Sequence, residues 1–186
     1  MRKLVSLAVL VAVLVVAQLS PACVGKTILL GISNTAPEKL LADMAAIMIT
    51  ERTGSSVKVQ VFKDSRELYN AVRQGKINLI IEATDRAAEI VGKQKDASPA
   101  SLYDFVKGEY RKNLNLVWLE SFGGARQYAP VLTIETLANY PALPKLLNKL
   151  AGALANDTCT KLLKSVDSDD KAKKVARDFL KGKKLI

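Results

Sequence analysis

The 186-residue chain carries 28 lysine and arginine residues against 18 acidic ones, for a formal net charge of +10, with no histidine and two cysteines. Without histidine it lacks the side chain most used for general base work and metal ligation near neutral pH, and two cysteines without a paired spacing do not suggest zinc. A serine nucleophile would lack its usual base, so the composition reads as that of a non-enzyme and implies no cofactor.

At the start, Arg2 and Lys3 precede an apolar run from Leu4 to Ala17, broken only by Ser6 and followed by Gln18, Ser20 and Pro21. That is the layout of an export signal, and the run is shorter than the roughly 20 apolar residues a membrane-spanning helix needs. Residues 1–25 are therefore read as a signal peptide. Residues 26–186 are read as one exported domain, periplasmic or in the cell envelope. Two processing routes stay open. Ser20-Pro21-Ala22 suits a general signal peptidase, while Cys23 suits lipid attachment, although Ser20 stands where a branched apolar residue is usual. Cys159 shares a helical spacing with Leu162, Leu163 and Val166 and is read as a small core residue. A Cys23–Cys159 disulfide is permitted in an oxidising compartment.

After the signal, about 160 residues make one ordinary domain with a real core. Thr27 to Gly31 reads as a short buried strand. Thr35 and Glu38 then form a capping-box spacing with Pro37 in the first turn, opening a helix to about Thr53 that Gly54 stops. Val57, Val59 and Val61 alternate with polar residues in a second strand. Asp64 and Glu67 repeat the capping box for a helix ending near Gly75. Ile77 to Ile81 is a third strand, and Thr84 to Val91 a short helix closed by Gly92. After a polar break from Lys93 to Ser98, Pro99 starts a helix through Leu102, Phe105, Val106 and Tyr110, followed by a strand from Leu116 to Leu119.

Next comes the stretch Ser121-Phe122-Gly123-Gly124-Ala125-Arg126-Gln127-Tyr128-Ala129-Pro130, a glycine-rich seam between two apolar runs. The remainder is helical. Leu143, Leu146, Leu147 and Leu150 form one stripe, and Val175, Ala176, Phe179 and Leu180 the last. Asn156 is read as an N-cap, which accounts more simply for Asn156-Asp157-Thr158 than a glycosylation acceptor does. Gly25-Lys26-Thr27 imitates the tail of a phosphate-binding loop but lacks its earlier glycine.

Three alternating strand-helix units predict an α/β fold, a mainly parallel sheet flanked by helices. Helices that begin at the C-terminal ends of strands bring Asn34, Thr35, Glu38, Asp64, Ser65, Glu82 and Thr84 to one rim, the edge where open α/β sheets bind ligands. Thr35 and Asp64 are equally explained as helix caps. Loss of Arg2 and Lys3 lowers the formal charge to +8. Dispersed lysines with few interleaved aromatics argue against a nucleic-acid partner, whereas a basic outer face suits an anionic membrane surface.

The run Ser101-Leu102-Tyr103-Asp104-Phe105-Val106-Lys107, with Leu116-Val117-Trp118-Leu119, resembles the first-lobe segment of the glycine betaine, choline and proline-betaine binding proteins of ABC importers. The start of the seam is similar to that family's Gly-Phe-Asn-Asn-Thr-Tyr-Ala sequence. Ala129-Pro130-Val131, Glu135-Thr136-Leu137-Ala138-Asn139-Tyr140-Pro141-Ala142-Leu143 and Val175-Ala176-Arg177-Asp178-Phe179-Leu180 resemble its C-terminal helices, and Gly75-Lys76-Ile77-Asn78-Leu79 extends the likeness. The resemblance implies one lobe of a type II periplasmic-binding-protein-like fold. The family's two lobes are joined by crossovers resembling the stretches that end at Tyr128 and begin at Ala129-Pro130. Almost nothing lies between them here, so the second lobe reads as missing.

Carried over residue by residue, the resemblance puts ligand contacts at Glu38, Ser65, Glu82, Thr84, Arg126 and Tyr128, with Asn34 on the same rim. A cage tyrosine of the family becomes Ala83, and an asparagine becomes Arg126. Quaternary ammonium groups are held by aromatic faces, and one ring, Tyr128, is retained. A Glu38–Arg126 salt bridge is an alternative to a new specificity. The implied partners are a small solute (a quaternary amine, an amino acid or an anion) and an ABC permease, with a second lobe or second copy completing the cleft. The other reading is a degenerate envelope domain kept for protein interaction.

Overall fold

The computed structural model describes residues 27–92, 99–124, 126–155, 157–166 and 169–186. The predicted signal peptide, Cys23 with its proposed disulfide, the break at 93–98 and the Asn156 cap lie outside the described residues.

Strand β1 (Ile28–Ser33) runs through the middle of the sheet, and its alternation explains why. Ile28, Leu30 and Ile32 join the core on one face while Leu29 packs into the core on the other. Helix α1 (Ala36–Thr53) starts at Thr35, whose hydroxyl oxygen accepts from the Glu38 N–H, and stops at Gly54, where φ is +70°. Strand β2 (Val57–Phe62) follows, then α2 (Ser65–Arg73), capped by Asp64. Both N-caps read from the sequence are present, but the reciprocal half of each capping box is displaced: Glu38 accepts from the Ser33 N–H and Glu67 from the Lys63 N–H, not from the N-cap residues.

The third strand, β3 (Leu79–Ala83), sits two residues later than the spacing predicted. The Asn78 side chain accepts from the Leu29 N–H and its own N–H donates to the Leu29 carbonyl, which ends the connection before the strand. Pairing of Glu82 with Ala129 and of Ala83 with Tyr128 then extends the strand at its far end. Helices α3 (Thr84–Ile90) and α4 (Pro99–Leu114) lead to β4 (Leu116–Trp118), β5 (Phe122–Gly123) and β6 (Gln127–Thr133). The chain closes with α5 (Ile134–Asn139), α6 (Leu143–Ala153), α7 (Asp157–Lys164) and α8 (Asp169–Gly182).

The strand order is β2-β1-β3-β6-β4, with β5 also on β6. The β2-β1-β3 half is parallel, as predicted for strand-helix units. The other half is antiparallel: β6 runs against β3, β4 and β5, so the α/β sheet is mixed. The cause is the seam, which is a hairpin. Phe122 faces Tyr128 and Gly123 faces Gln127 across a turn too short for a parallel crossover. Gly123 has φ +123°, and a Cβ there would lie 2.2 Å from the Arg126 carbonyl oxygen, so only glycine fits.

Two cores cover the two faces. One gathers α1 and the C-terminal helices over β1, and includes Leu143, Leu147, Cys159, Ala176 and Leu180. The other holds α2, α3 and α4, with Tyr69, Tyr110 and Trp118 in edge-on ring contacts: Tyr110 is 5.2 Å from Trp118 and 6.0 Å from Tyr69, centroid to centroid. Three of the chain's few large rings are thereby used as core.

Candidate functional site

The C-terminal ends of β1, β2 and β3 and the seam hairpin form one rim. Its interior is a buried ionic network built on Arg86, in the first turn of α3. The Arg86 Nε donates to Glu82 Oε1 at 2.6 Å. One terminal nitrogen donates to Glu38 Oε1 at 2.7 Å and to Ser33 Oγ at 2.9 Å, and the other reaches Glu38 Oε2 at 3.3 Å and the Ile81 carbonyl at 3.5 Å. A guanidinium has five N–H donors, and each has a protein acceptor. Burial works against the Arg86 charge, but Glu82 and then Glu38 outweigh it and hold the group above its ordinary value.

The carboxylates are similarly occupied. Glu38 also accepts from the Ser33 N–H at 2.8 Å and from Thr35 Oγ1 at 3.2 Å, which fills both its oxygens. Glu82, fully buried, accepts from the Ala83 N–H at 2.8 Å and from the Tyr69 hydroxyl at 2.5 Å. The Tyr110 hydroxyl stands 2.6 Å from that of Tyr69, so a chain of phenols runs from the aromatic core to the rim. Burial pushes the Glu82 carboxyl above the usual carboxylate range, although Arg86, Tyr69 and the Ala83 N–H all pull it down.

Arg126 and Tyr128 make the outer part. The Arg126 guanidinium lies over the Tyr128 ring, 5.6 Å from its centroid, and its Nε donates to Asp85 at 3.1 Å. Tyr128 is buried, while Arg126 and Asp85 remain close to half exposed. Thr84 is buried beside them, and its hydroxyl has no hydrogen-bond partner among the described residues.

Of the residues singled out in the sequence, Glu38 and Glu82 are brought together through Arg86, and Arg126 with Tyr128 through a cation–π contact. Asn34 stays exposed beside Thr35, and Ser65 opens α2 at the end of β2. The anticipated Glu38–Arg126 salt bridge does not form. Glu38 is buried against Arg86, and Arg126 is held on the outside by Asp85. Sequence reasoning passed over Arg86 and Asp85; the one signal for Arg86 was its position four residues after Glu82.

Residues 110–182 match the family model described as the substrate binding domain of the ABC-type glycine betaine transport system. That range runs from Tyr110 in α4 through the seam and Tyr128 to the end of α8. Over these residues the family resemblance read in the sequence is borne out. Among solved structures, the chain is similar to apo YehZ from Escherichia coli, at TM-score 0.77 and 14% identity over 87% of this chain and 100% of that one. It is similar to a glycine betaine/carnitine/choline ABC transporter protein at TM-score 0.74 and 12% identity, over 87% and 99% of the two chains. A third likeness is to lactococcal OpuAC in a closed form with glycine betaine, at TM-score 0.50 and 10% identity, over 86% and 97%. At these identities the likeness is one of fold, a sheet flanked by helices. No helix among the described residues is long and apolar enough to cross a membrane.

Proposed function

We propose that the chain is the exported, single-lobe solute-binding component of an osmoprotectant-type ABC import system, with a rim rebuilt so that glycine betaine and choline bind weakly or not at all. The role rests on the family match over residues 110–182 and on the shared fold. The altered specificity rests on one observation: the guanidinium of Arg126 occupies the face of Tyr128 where a quaternary ammonium would sit. Such a ligand has no N–H to donate and depends on aromatic faces in a dry cage. Here Ala83 stands where the resemblance puts a cage tyrosine, Tyr69 and Tyr110 are buried in the core, and the one ring retained carries an internal cation.

The inner carboxylates do not compensate, because Glu38 and Glu82 are engaged by Arg86 and backbone N–H groups. What the rim still presents is the half-exposed Arg126–Asp85 pair and the buried Thr84 hydroxyl. These suit a small zwitterion such as an amino acid, or an anion, better than a permanently charged amine. A permease, with a second lobe or second copy closing the cleft, is the partner this reading requires. The self-contained Glu38–Arg86–Glu82 network also supports the second reading, an envelope domain that keeps the lobe for protein interaction and has lost transport.

The test is a thermal-shift titration of the chain lacking residues 1–25 against choline, glycine betaine, amino acids and small anions. Ligand at about a hundred times its Kd adds roughly 2.7 kcal/mol of stability. Stabilisation by an amino acid or anion supports the altered-specificity reading, flat traces throughout support the interaction domain, and stabilisation by micromolar choline or glycine betaine overturns the altered specificity.

A further inference from the structure

The charge of the folded domain is one-sided. Residues 27–142 hold fourteen lysines and arginines against thirteen acidic residues, whereas residues 143–186 hold eleven against five. Six of the eight net charges left without residues 1–25 therefore sit in the C-terminal segment.

The lysines, dispersed along the sequence, are gathered by the fold. α6, α7 and α8 bury Leu147, Leu150, Cys159, Ala172, Ala176 and Leu180 in the core on the α1 face, so their polar sides point away from the sheet together. All eleven basic residues are exposed. On α8, Lys174, Arg177 and Lys181 follow at intervals of three and four and share one stripe, opposite Ala172, Ala176 and Leu180. Lys161 and Lys164 pair in the same way on α7. Arg177 is bridged to Glu51, but Lys161, Lys164, Lys174 and Lys181 have no ion pair among the described residues. Arg52 of α1 donates to the Lys184 and Leu185 carbonyls at 3.0 and 2.8 Å, and the Glu51–Arg177 bridge joins the same two helices. These charges are thus carried on anchored helices and not on a loose tail.

The chemistry of the face narrows its partner. Ten of the eleven cations are lysines, compact point charges without the planar fork that reads a single phosphate or carboxylate bidentately. The one ring in this segment, Phe179, packs against the core, so bases have nothing to stack on. None of the exposed large apolar side chains lies on α6, α7 or α8. A diffuse field of lysines complements a surface that is itself a broad array of phosphates.

We propose that the outer side of α6, α7 and α8 docks on an anionic phospholipid surface, its lysines reaching the headgroup phosphates and no side chain entering the hydrocarbon. Each lysine brought to such a surface gains about fivefold in binding, and the attraction fades within a Debye length. α8 begins beside Ile32, at the rim end of the sheet, and its end is held by Arg52. The membrane then lies along the flank of the lobe and leaves the rim open, so the docking is independent of which solute the rim binds.

Co-sedimentation of the chain lacking residues 1–25 with vesicles tests this, since the described residues from 27 onward carry the complete sheet and both cores. The parent is expected to bind vesicles containing phosphatidylglycerol, to ignore phosphatidylcholine alone, and to be released at about 1 M salt, where the Debye length falls to about 3 Å. Lys174→Gln with Lys181→Gln should weaken the binding about 25-fold at an unchanged melting temperature, and Lys161→Gln with Lys164→Gln likewise. Arg111→Gln with Lys112→Gln removes the same charge from α4, on the opposite face of the sheet, and should change it less than about twofold. A parent that ignores phosphatidylglycerol vesicles at low salt overturns the proposal, as does an equal loss in all three pairs, which would make net charge and not this face the cause. Tighter binding to duplex DNA or polyglutamate than to the anionic vesicles also overturns it, in favour of a soluble polyanionic partner.

Discussion

Arg86 and Glu38 stand 48 residues apart in the sequence and 2.7 Å apart in the fold, joining the start of α3 to the first turn of α1 beneath the rim. Their contact ties the C-terminal ends of β1 and β3 together. With Glu82 on its other side, Arg86 is enclosed by two carboxylates, and the network carries a formal excess of one negative charge.

Removing one member of this network strips hydrogen-bond partners from the others. Glu38→Ala is expected to cost about 1–3 kcal/mol, because the Ser33 N–H and two Arg86 N–H groups lose their acceptors while Glu82 still pairs the guanidinium. Glu38→Gln, which keeps shape and one acceptor, should cost less. Urea denaturation of the two variants measures the difference.

Glu82 gives the network a pH dependence of known sign. Burial raises its folded value, so the fold favours the neutral acid. That contribution is fully present below the unfolded carboxylate value and is lost as pH rises through the folded one. The urea midpoint of the parent should therefore fall relative to that of Glu82→Gln as pH rises from the ordinary carboxylate range through the raised Glu82 value. Parallel profiles for the two proteins would contradict this.

At the outer rim, Arg126→Ala is expected to uncover the Tyr128 ring. Choline, silent against the parent, should then stabilise the variant, with a gain of about 0.5–2 kcal/mol in binding. Isothermal titration calorimetry on both proteins reads it. Tyr128→Phe keeps the ring and should leave the comparison unchanged.

Two glycines are fixed by space. At Gly31 an added Cβ would stand 2.6 Å from Leu68 Cδ1 and 3.1 Å from Ile77 Cγ2, so Gly31→Ala forces those side chains to repack and should cost about 1–3 kcal/mol. Gly123→Ala combines a positive φ with a clash against the Arg126 carbonyl and should loosen the hairpin. Hydrogen exchange at Gln127 and Tyr128 would report that loosening.

Cys159 is buried, and burial pushes its thiol up to about 11. Because the thiolate is the reactive form, a disulfide reagent at pH 8 should label the folded chain lacking residues 1–25 slowly and the urea-unfolded chain at once. The buried thiol's contribution to stability is present below the unfolded value and lost as pH rises through about 11.

The sequence by itself determined what depends on neighbours a few residues away. Thr35 and Asp64 cap their helices by accepting from the Glu38 and Glu67 N–H groups, Gly54 ends α1, and Leu143, Leu147 and Leu150 form a buried stripe, because caps, turns and the 3.6-residue period are local. The family resemblance was legible for the same reason, in contiguous runs, of which those from Leu116 to Leu180 fall within the matched residues 110–182. Only the tertiary structure decided the partners. Glu38 was read as free to meet Arg126, yet a charge pairs with whatever the sheet order sets beside it, and β1 next to β3 makes that Arg86. Arg126 was thereby left to Asp85 and to the face of Tyr128. The direction of β6 was decided in the same way. An apolar strand reads alike in either direction, and only the hairpin closed by Gly123 turned it against β3.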